Sequence, residues 1–380
     1  MSTTAPRWPD ARASRWRPAL RVWHRWFGLG ATVWLVLLSL SGCAIAYYDE
    51  LDTWLNPDLR RIEEVRTLPA HEIPLAHALD EARRTVPGFE PRQVQLPEAG
   101  GTLWMLGRAD GVPIQLFADP RDGRVLGWRE SGKLALDRRH VMDVLYGLHV
   151  DLLMGEWMTA LLGFVSLLWL VDHVFAVMLA VPRLSRWREA FLLGGTPGSG
   201  RRRFDWHRAP AMWALPITLI LALTGVTLAW PEASRDAVRL VGPVSERLDE
   251  ALPEREPLPA ALSVDHAIVL AAGDAPVHSV RLLPHKQAYA VRTYDDRDVD
   301  DQGRLWTYVS MENGHVLGQR HDAGDSAGDT FFVWQYALHS GKAFGPAGQA
   351  LVFLGGVVTI ASSVTGFVLW WRRRARNAGT

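Results

Sequence analysis

The sequence predicts a mainly α membrane protein: four transmembrane helices built from a duplicated helix–external domain–helix unit, with two small α+β external domains. Three observations carry this. Four apolar runs are each long enough to cross a hydrocarbon core. Arginines cluster at one end of every run, and short motifs recur at nearly constant spacing.

The runs occupy 27–47, 157–181, 209–230 and 347–371. At about 1.5 Å of rise per residue, each crosses a core roughly 30 Å thick. Three contain no charged residue; the second contains Asp172 and His173. Arg12, Arg15, Arg17, Arg21 and Arg25 precede the first run. Arg183, Arg186, Arg188, Arg201, Arg202 and Arg203 separate the second from the third, and Arg372, Arg373, Arg374 and Arg376 follow the fourth. Basic residues stay on the cytoplasmic side of a bilayer. The expected order is therefore a cytoplasmic N-terminus (1–25), helix 1 (26–48), a periplasmic domain (49–150) and helix 2 (151–182). A cytoplasmic loop (183–207), helix 3 (208–231), a second periplasmic domain (232–345), helix 4 (346–371) and a cytoplasmic tail (372–380) complete it. This is the layout of a multi-pass membrane protein with both termini cytoplasmic and both long segments outside, in the periplasm of a cell that has one. The first run is too long for a signal-peptide core and no small-residue cleavage site follows it, so cleavage is not expected.

Composition removes several function classes. The 380 residues carry no net charge, which argues against a nucleic-acid partner. The single cysteine, Cys43, lies in the first run. One cysteine excludes a disulfide framework, c-type haem attachment and a cysteine-ligated cluster within this chain.

The halves match at several landmarks. "WHR" at 23–25 recurs at 206–208, and "LSLSG" at 38–42 recurs as "LALTG" at 221–225, both shifted by 183. "LYGLHVDLLMG" at 145–155 matches "QYALHSGKAFG" at 335–345, placing Tyr146, His149 and Gly155 each 190 positions before Tyr336, His339 and Gly345. "DGRVLG" at 122–127 returns as "NGHVLG" at 313–318. Repeated landmarks in order point to internal duplication.

Each external segment reads as a helix followed by strands. In the first, residues 75–86 put Leu75, Ala78, Leu79 and Ala82 on one stripe, ahead of strand-like "RQVQL", "TLWML" and "IQLFAD". Turns are expected at Gly100-Gly101 and Asp122-Gly123. The second offers "VDHAIVLA", then "HSVRLL", "AYAVRT" and "LWTYVS", with a turn at Asn313-Gly314. Neither contains a phosphate loop, nucleophile elbow, HExxH or dinucleotide fingerprint.

The segments "WHRWFGLGATVWLVLLSLSG", "GLHVDLLMGEWMTALLGFVSLLWLVD", "DWHRAPAMWALPITLILALTG" and "YALHSGKAFGPAGQALVFLGGVVTIASSVTGFVLWWRRR" resemble the PepSY-associated transmembrane proteins. "DPRDGRVLG" at 119–127 resembles the strand–turn of a PepSY domain, which makes the external domains PepSY-like. The chain is similar to the inner-membrane ferric-siderophore reductases of iron uptake. That resemblance covers nearly the whole chain and implies four spans and b-type haem. His173 departs from the family pattern, and its equivalent 190 positions on is Ser363.

With haem implied, equivalent histidines become candidate axial ligands, since b-type haem is held without covalent linkage and imidazole is a usual ligand. His149 and His339 lie at the external mouths of helices 2 and 4; His24 and His207 lie at the internal mouths of helices 1 and 3. Pairing by level gives two haems b, one near each face. The plainer reading is an interfacial anchor, and it stays open for His24 and His207 amid arginines. His173, beside Asp172, is a further candidate: an inner ligand with Asp172 accepting from another histidine, or a polar pair bonded to a neighbouring helix. Trp34, Trp169 and Trp213 are candidates to pack on a macrocycle, and external Trp104, Trp128, Trp306 and Trp334 to touch a chelate or form core.

The expected function is an oxidoreductase that passes electrons to a periplasmic ferric siderophore, reducing Fe(III) to Fe(II) so that a hard oxygen chelate releases it. The donor is a quinol or a separate reductase, and the lipid bilayer is the remaining partner. Rival readings are a haem-free regulatory or binding membrane protein and a siderophore or iron permease. Four helices with almost no intramembrane charge argue against the permease.

Overall fold

Backbone polar groups in lipid must be satisfied within the segment, so a long apolar run crosses a bilayer as a helix. The computed structural model describes residues 16–63, 68–98, 100–181 and 183–378; Arg12 and Arg15 lie outside the described residues. In chain order its main helices are α1 (Arg17–Ile45), α2 (Tyr48–Leu55), α3 (Leu75–Thr85), α4 (Val141–Val150) and α5 (Glu156–Ala180). They continue as α6 (Gly200–Ala229), α7 (Val264–Ala272), α8 (Ala327–Ser340) and α9 (Gly345–Ala378). Among the described residues α1, α5, α6 and α9 are long and apolar enough to span a membrane. This is a multi-pass membrane protein.

Around the bundle α1 packs on α9, α9 on α6, α6 on α5 and α5 on α1, so α1 and α6 lie on a diagonal. Four spans put the start of α1, the end of α9 and the connection between α5 and α6 at one end and both long segments at the other. Close helix contact needs small residues. A Cβ added to Gly356 would come 2.5 Å from Cys43 Sγ on α1.

The strands are β1 (Phe89–Gln95), β2 (Leu103–Ala109), β3 (Val112–Ala118), β4 (Val125–Glu130), β5 (Val277–Leu283), β6 (Ala288–Thr293), β7 (Leu305–Ser310) and β8 (Val316–His321). The α+β external units expected from the sequence are present, and they are not separate. Their strands form one eight-stranded sheet in the order β4-β3-β2-β1-β5-β6-β7-β8. β1 and β5 join the halves antiparallel, with Val94 opposite Val280. The repeat helices α3 and α7 are linked by the Ala76 N–H, which donates to Asp265 Oδ1 at 3.0 Å. Their apolar stripes, including Leu75, Ala78, Ala267 and Ile268, share a core with Leu103, Met105, Leu116, Val280 and Val291. Each large side chain buried there contributes about 1.5–3 kcal/mol relative to exposure.

Two short helices connect sheet to bundle. α4 ends before a turn in which Leu152 (φ 52°), Leu153 (φ 62°) and Gly155 (φ 84°) are left-handed. α8 ends at Gly341 (φ 79°), and Gly345 (φ 55°) precedes the rest of α9. Each short helix carries an aspartate in its first turn, where the helix dipole favours an anion. Asp143 of α4 accepts from Tyr48 Oη at 2.7 Å and from Gln115 Nε2 at 3.2 Å. Gln115 in turn accepts from Arg129 Nε at 2.8 Å, and Arg129 is bidentate on the fully buried Asp52 at 2.7 and 2.9 Å. Asp329 of α8 accepts from the Ser245 N–H at 3.0 Å and from Arg320 Nη2 at 3.1 Å. The sheet thus fixes where α4 and α8 enter the bundle.

Candidate functional site

An imidazole at membrane depth has two ring nitrogens to satisfy, and what each one meets decides what the ring can do. His149 on α4 is laid against α1. Its Nδ1–H donates to the Leu38 carbonyl at 2.9 Å, with Ser41 Oγ at 3.4 Å. A Cβ at Gly42 would come 2.8 Å from His149 Cε1, so a larger residue there would push the ring from this position. His339 on α8 is laid against α6 in the equivalent way. Its Nδ1 meets Thr224 Oγ1 at 2.8 Å, while the Thr224 hydroxyl proton goes to the Ile220 carbonyl at 2.7 Å. The hydroxyl therefore accepts and His339 Nδ1–H donates. Ser41 and Thr224 are the same position of the repeated "LSLSG" and "LALTG" motifs, 183 residues apart.

The other pair follows the same rule at the opposite end. His24 Nδ1–H donates to Asp172 of α5, with Oδ2 at 2.9 Å and Oδ1 at 3.1 Å. His207 Nδ1–H donates to the Ser362 carbonyl of α9 at 3.0 Å, with Thr365 Oγ1 at 3.2 Å. Residues 172 and 362 are again equivalent, 190 apart. A Cβ at Gly366 would lie 3.1 Å from His207 Cε1.

Each histidine is held by its own half of the chain and faces one from the other half. The ring centres of His149 and His339 are 6.0 Å apart, with planes at 60°. Those of His24 and His207 are 6.1 Å apart, with planes at 53°. In all four rings Nδ1 carries the proton, leaving the Nε2 lone pair without a hydrogen-bond partner among the described residues. Histidines that hold a metal have this arrangement, with the far nitrogen donating to a carboxylate, carbonyl or other acceptor. Two imidazoles each bonded through Nε2 to one metal at about 2 Å have ring centres roughly 6 Å apart. The residues present therefore fit a pair of bis-imidazole sites. Among the described residues no group of three or more His, Cys, Asp or Glu side chains could hold a metal ion alone. Axial ligation of a macrocycle needs only two.

His173 is placed differently. Its Nδ1–H donates to the Trp169 carbonyl at 2.8 Å and its Nε2 meets Thr218 Oγ1 at 2.9 Å. Both nitrogens are engaged, so it bonds neighbouring groups while Asp172 serves His24. Of the tryptophans, Trp169 lies against His173 at 5.0 Å between ring centres, and Trp213 is 69% exposed. Trp128, on β4, is exposed. A cavity of about 570 Å³ opens beside the segment that follows His339, lined by Tyr294, Asp295, Asp298, Asp300, Asp301 and Lys342 among others.

Sequence reasoning named the four histidines and Asp172 but missed the acceptors Ser41 and Thr224, although the hydroxyl repeats at one motif position. The carbonyls of Leu38 and Ser362 leave no side-chain signal. Compared with known families, the chain matches the one described as PepSY-associated TM region over residues 21–373. No curated protein matches it.

Proposed function

The chain belongs to the PepSY-associated TM family, and from that premise we propose that it is an inner-membrane b-type haem protein that reduces ferric siderophores on the periplasmic side. One observation carries the reading: two cross-half histidine pairs at 6.0 and 6.1 Å, each ring donating its Nδ1–H to an acceptor and free at Nε2. His149 with His339 would hold one haem and His24 with His207 a second. Held by two imidazoles, such a group would supply one-electron transfer rather than oxygen chemistry.

The chain's own residues do the rest. Leu38, Thr224, Asp172 and Ser362 fix the tautomers, and α4 and α8 bring the outer pair under the sheet. With the arginine-rich ends cytoplasmic, the outer pair faces the periplasm. The cavity beside Lys342 is the place we assign to the chelate. Each Fe(III) gains one electron and becomes Fe(II), which a hard oxygen chelate holds weakly. A quinol donor, oxidised to quinone with release of two protons, serves two ferric ions in succession.

The test uses vesicles with the sheet side outward and the protein reduced beforehand. A ferric chelate too large to cross the bilayer, added outside, is expected to reoxidise the wild type, and His339→Ala to slow this at least tenfold. Equal rates for wild type and variant would refute the outward route.

A further inference from the structure

Every histidine of the two pairs but one is held by a neutral acceptor. Ser41 and Thr224 are both neutral hydroxyls, and the Leu38 carbonyl beside Ser41 is neutral too. At the inner level Ser362 offers His207 a neutral carbonyl, whereas its equivalent, Asp172, offers His24 a carboxylate. Asp172 is 5% exposed, and His24 is its only hydrogen-bond partner among the described residues. A charge is not buried at membrane depth without a strong partner or a function. We propose that Asp172 is a positioning residue that makes the His24–His207 centre the lower-potential one of the two, so that electrons run downhill from the inner to the outer site. This rests on the two-haem reading above.

Two effects act in the same direction. An imidazole whose Nδ1–H is drawn toward a carboxylate is a more basic ligand, and a more basic ligand stabilises ferric over ferrous iron. The carboxylate also places a negative charge one imidazole away in a medium of low dielectric, where it favours the more positive oxidation state. Cations oppose this. Arg25 lies one residue from His24 and Arg208 one residue from His207. Arg208 is neutralised by Asp205 at 2.7 Å, and Arg25 points its guanidinium over the exposed Trp26, where solvent screens it. The outer pair has no carboxylate bonded to either ring among the described residues.

The experiment is a spectroelectrochemical titration of the full-length, detergent-purified protein, with haem per chain measured on each sample. Wild type should show two one-electron waves. His207→Ala should remove the lower one. Asp172→Asn should retain two haems, leave the upper wave in place and shift the oxidised-to-reduced ratio of the lower at least tenfold toward reduced at fixed potential, about 59 mV upward. Asp172→Glu, which restores a carboxylate acceptor, should recover part of that shift. Should Asp172→Asn lose its inner haem, the Glu variant and the wild-type assignment decide. An upper wave that disappears in His207→Ala, or a lower wave unmoved by Asp172→Asn with both haems bound, overturns the proposal. Loss of all haem from wild type would instead strike the two-haem reading itself.

Discussion

His278 on β5 shows how far a single side chain can report on this protein outside the membrane. It is 5% exposed, and burial, followed by the positive charges of Arg292, Lys342 and Arg304, pushes its imidazole from the ordinary 6.5 down to about 3. A folded-state pKa below the unfolded one leaves stability intact above about pH 6.5. Stability is then lost as the pH falls toward 3, because the unfolded chain takes up the proton first. At about pH 5 the loss should be on the order of 2 kcal/mol. Thermal unfolding of the purified protein between about pH 7 and pH 5 should show this slope, and His278→Gln should flatten it. An unchanged slope in the variant would assign the pH dependence elsewhere. The membrane histidines were readable at this same scale because four of them fall at duplicated positions. Their acceptors were less readable. Whether Ser41 faces a ring depends on α4 folding back along α1, which no local pattern announces.

Among the elements, the breaks before α5 and α9 matter most. Gly155 (φ 84°, ψ −169°) and Gly345 (φ 55°, ψ −145°) are repeat equivalents in conformations that residues with a Cβ rarely adopt. Nothing lies within 4 Å of a Cβ built on either, so the penalty of substitution is backbone strain alone. Gly155→Ala and Gly345→Ala should each cost about 1–3 kcal/mol. Each should perturb the spectral component proposed for the outer pair, since His149 and His339 ride on α4 and α8, and leave the inner one intact. Equal disturbance of both components would mean that the breaks do not specifically position the outer pair. Helices and strands were largely legible: 75–86 appears as Leu75–Thr85 and "AYAVRT" as Ala288–Thr293. The β2–β3 hairpin turn was not. Asp110 (φ 49°) and Gly111 (φ 80°) both take the left-handed conformation a tight hairpin needs. The apolar run ahead of them stops at Leu106, and Gly107, Arg108 and Ala109 carry β2 onward by backbone pairing.

Viewed whole, the molecule is two copies of one unit joined across a shared interface. The sheet closes it through β1 and β5, and both histidine pairs take one ring from each half. Duplication was visible in the sequence; the shared sheet was not, since residues 93–95 meet residues 279–281 through an edge that alternation alone leaves open. The central claim is that each pair is one cofactor site, and a pyridine haemochrome assay with reduced-minus-oxidised spectra tests it most directly. Wild type made with ample haem should carry two haems b per chain. His149→Ala and His339→Ala should lose one and the same spectral component, and His24→Ala and His207→Ala the other. No haem in wild type, or different components lost by His149→Ala and His339→Ala, would contradict the account.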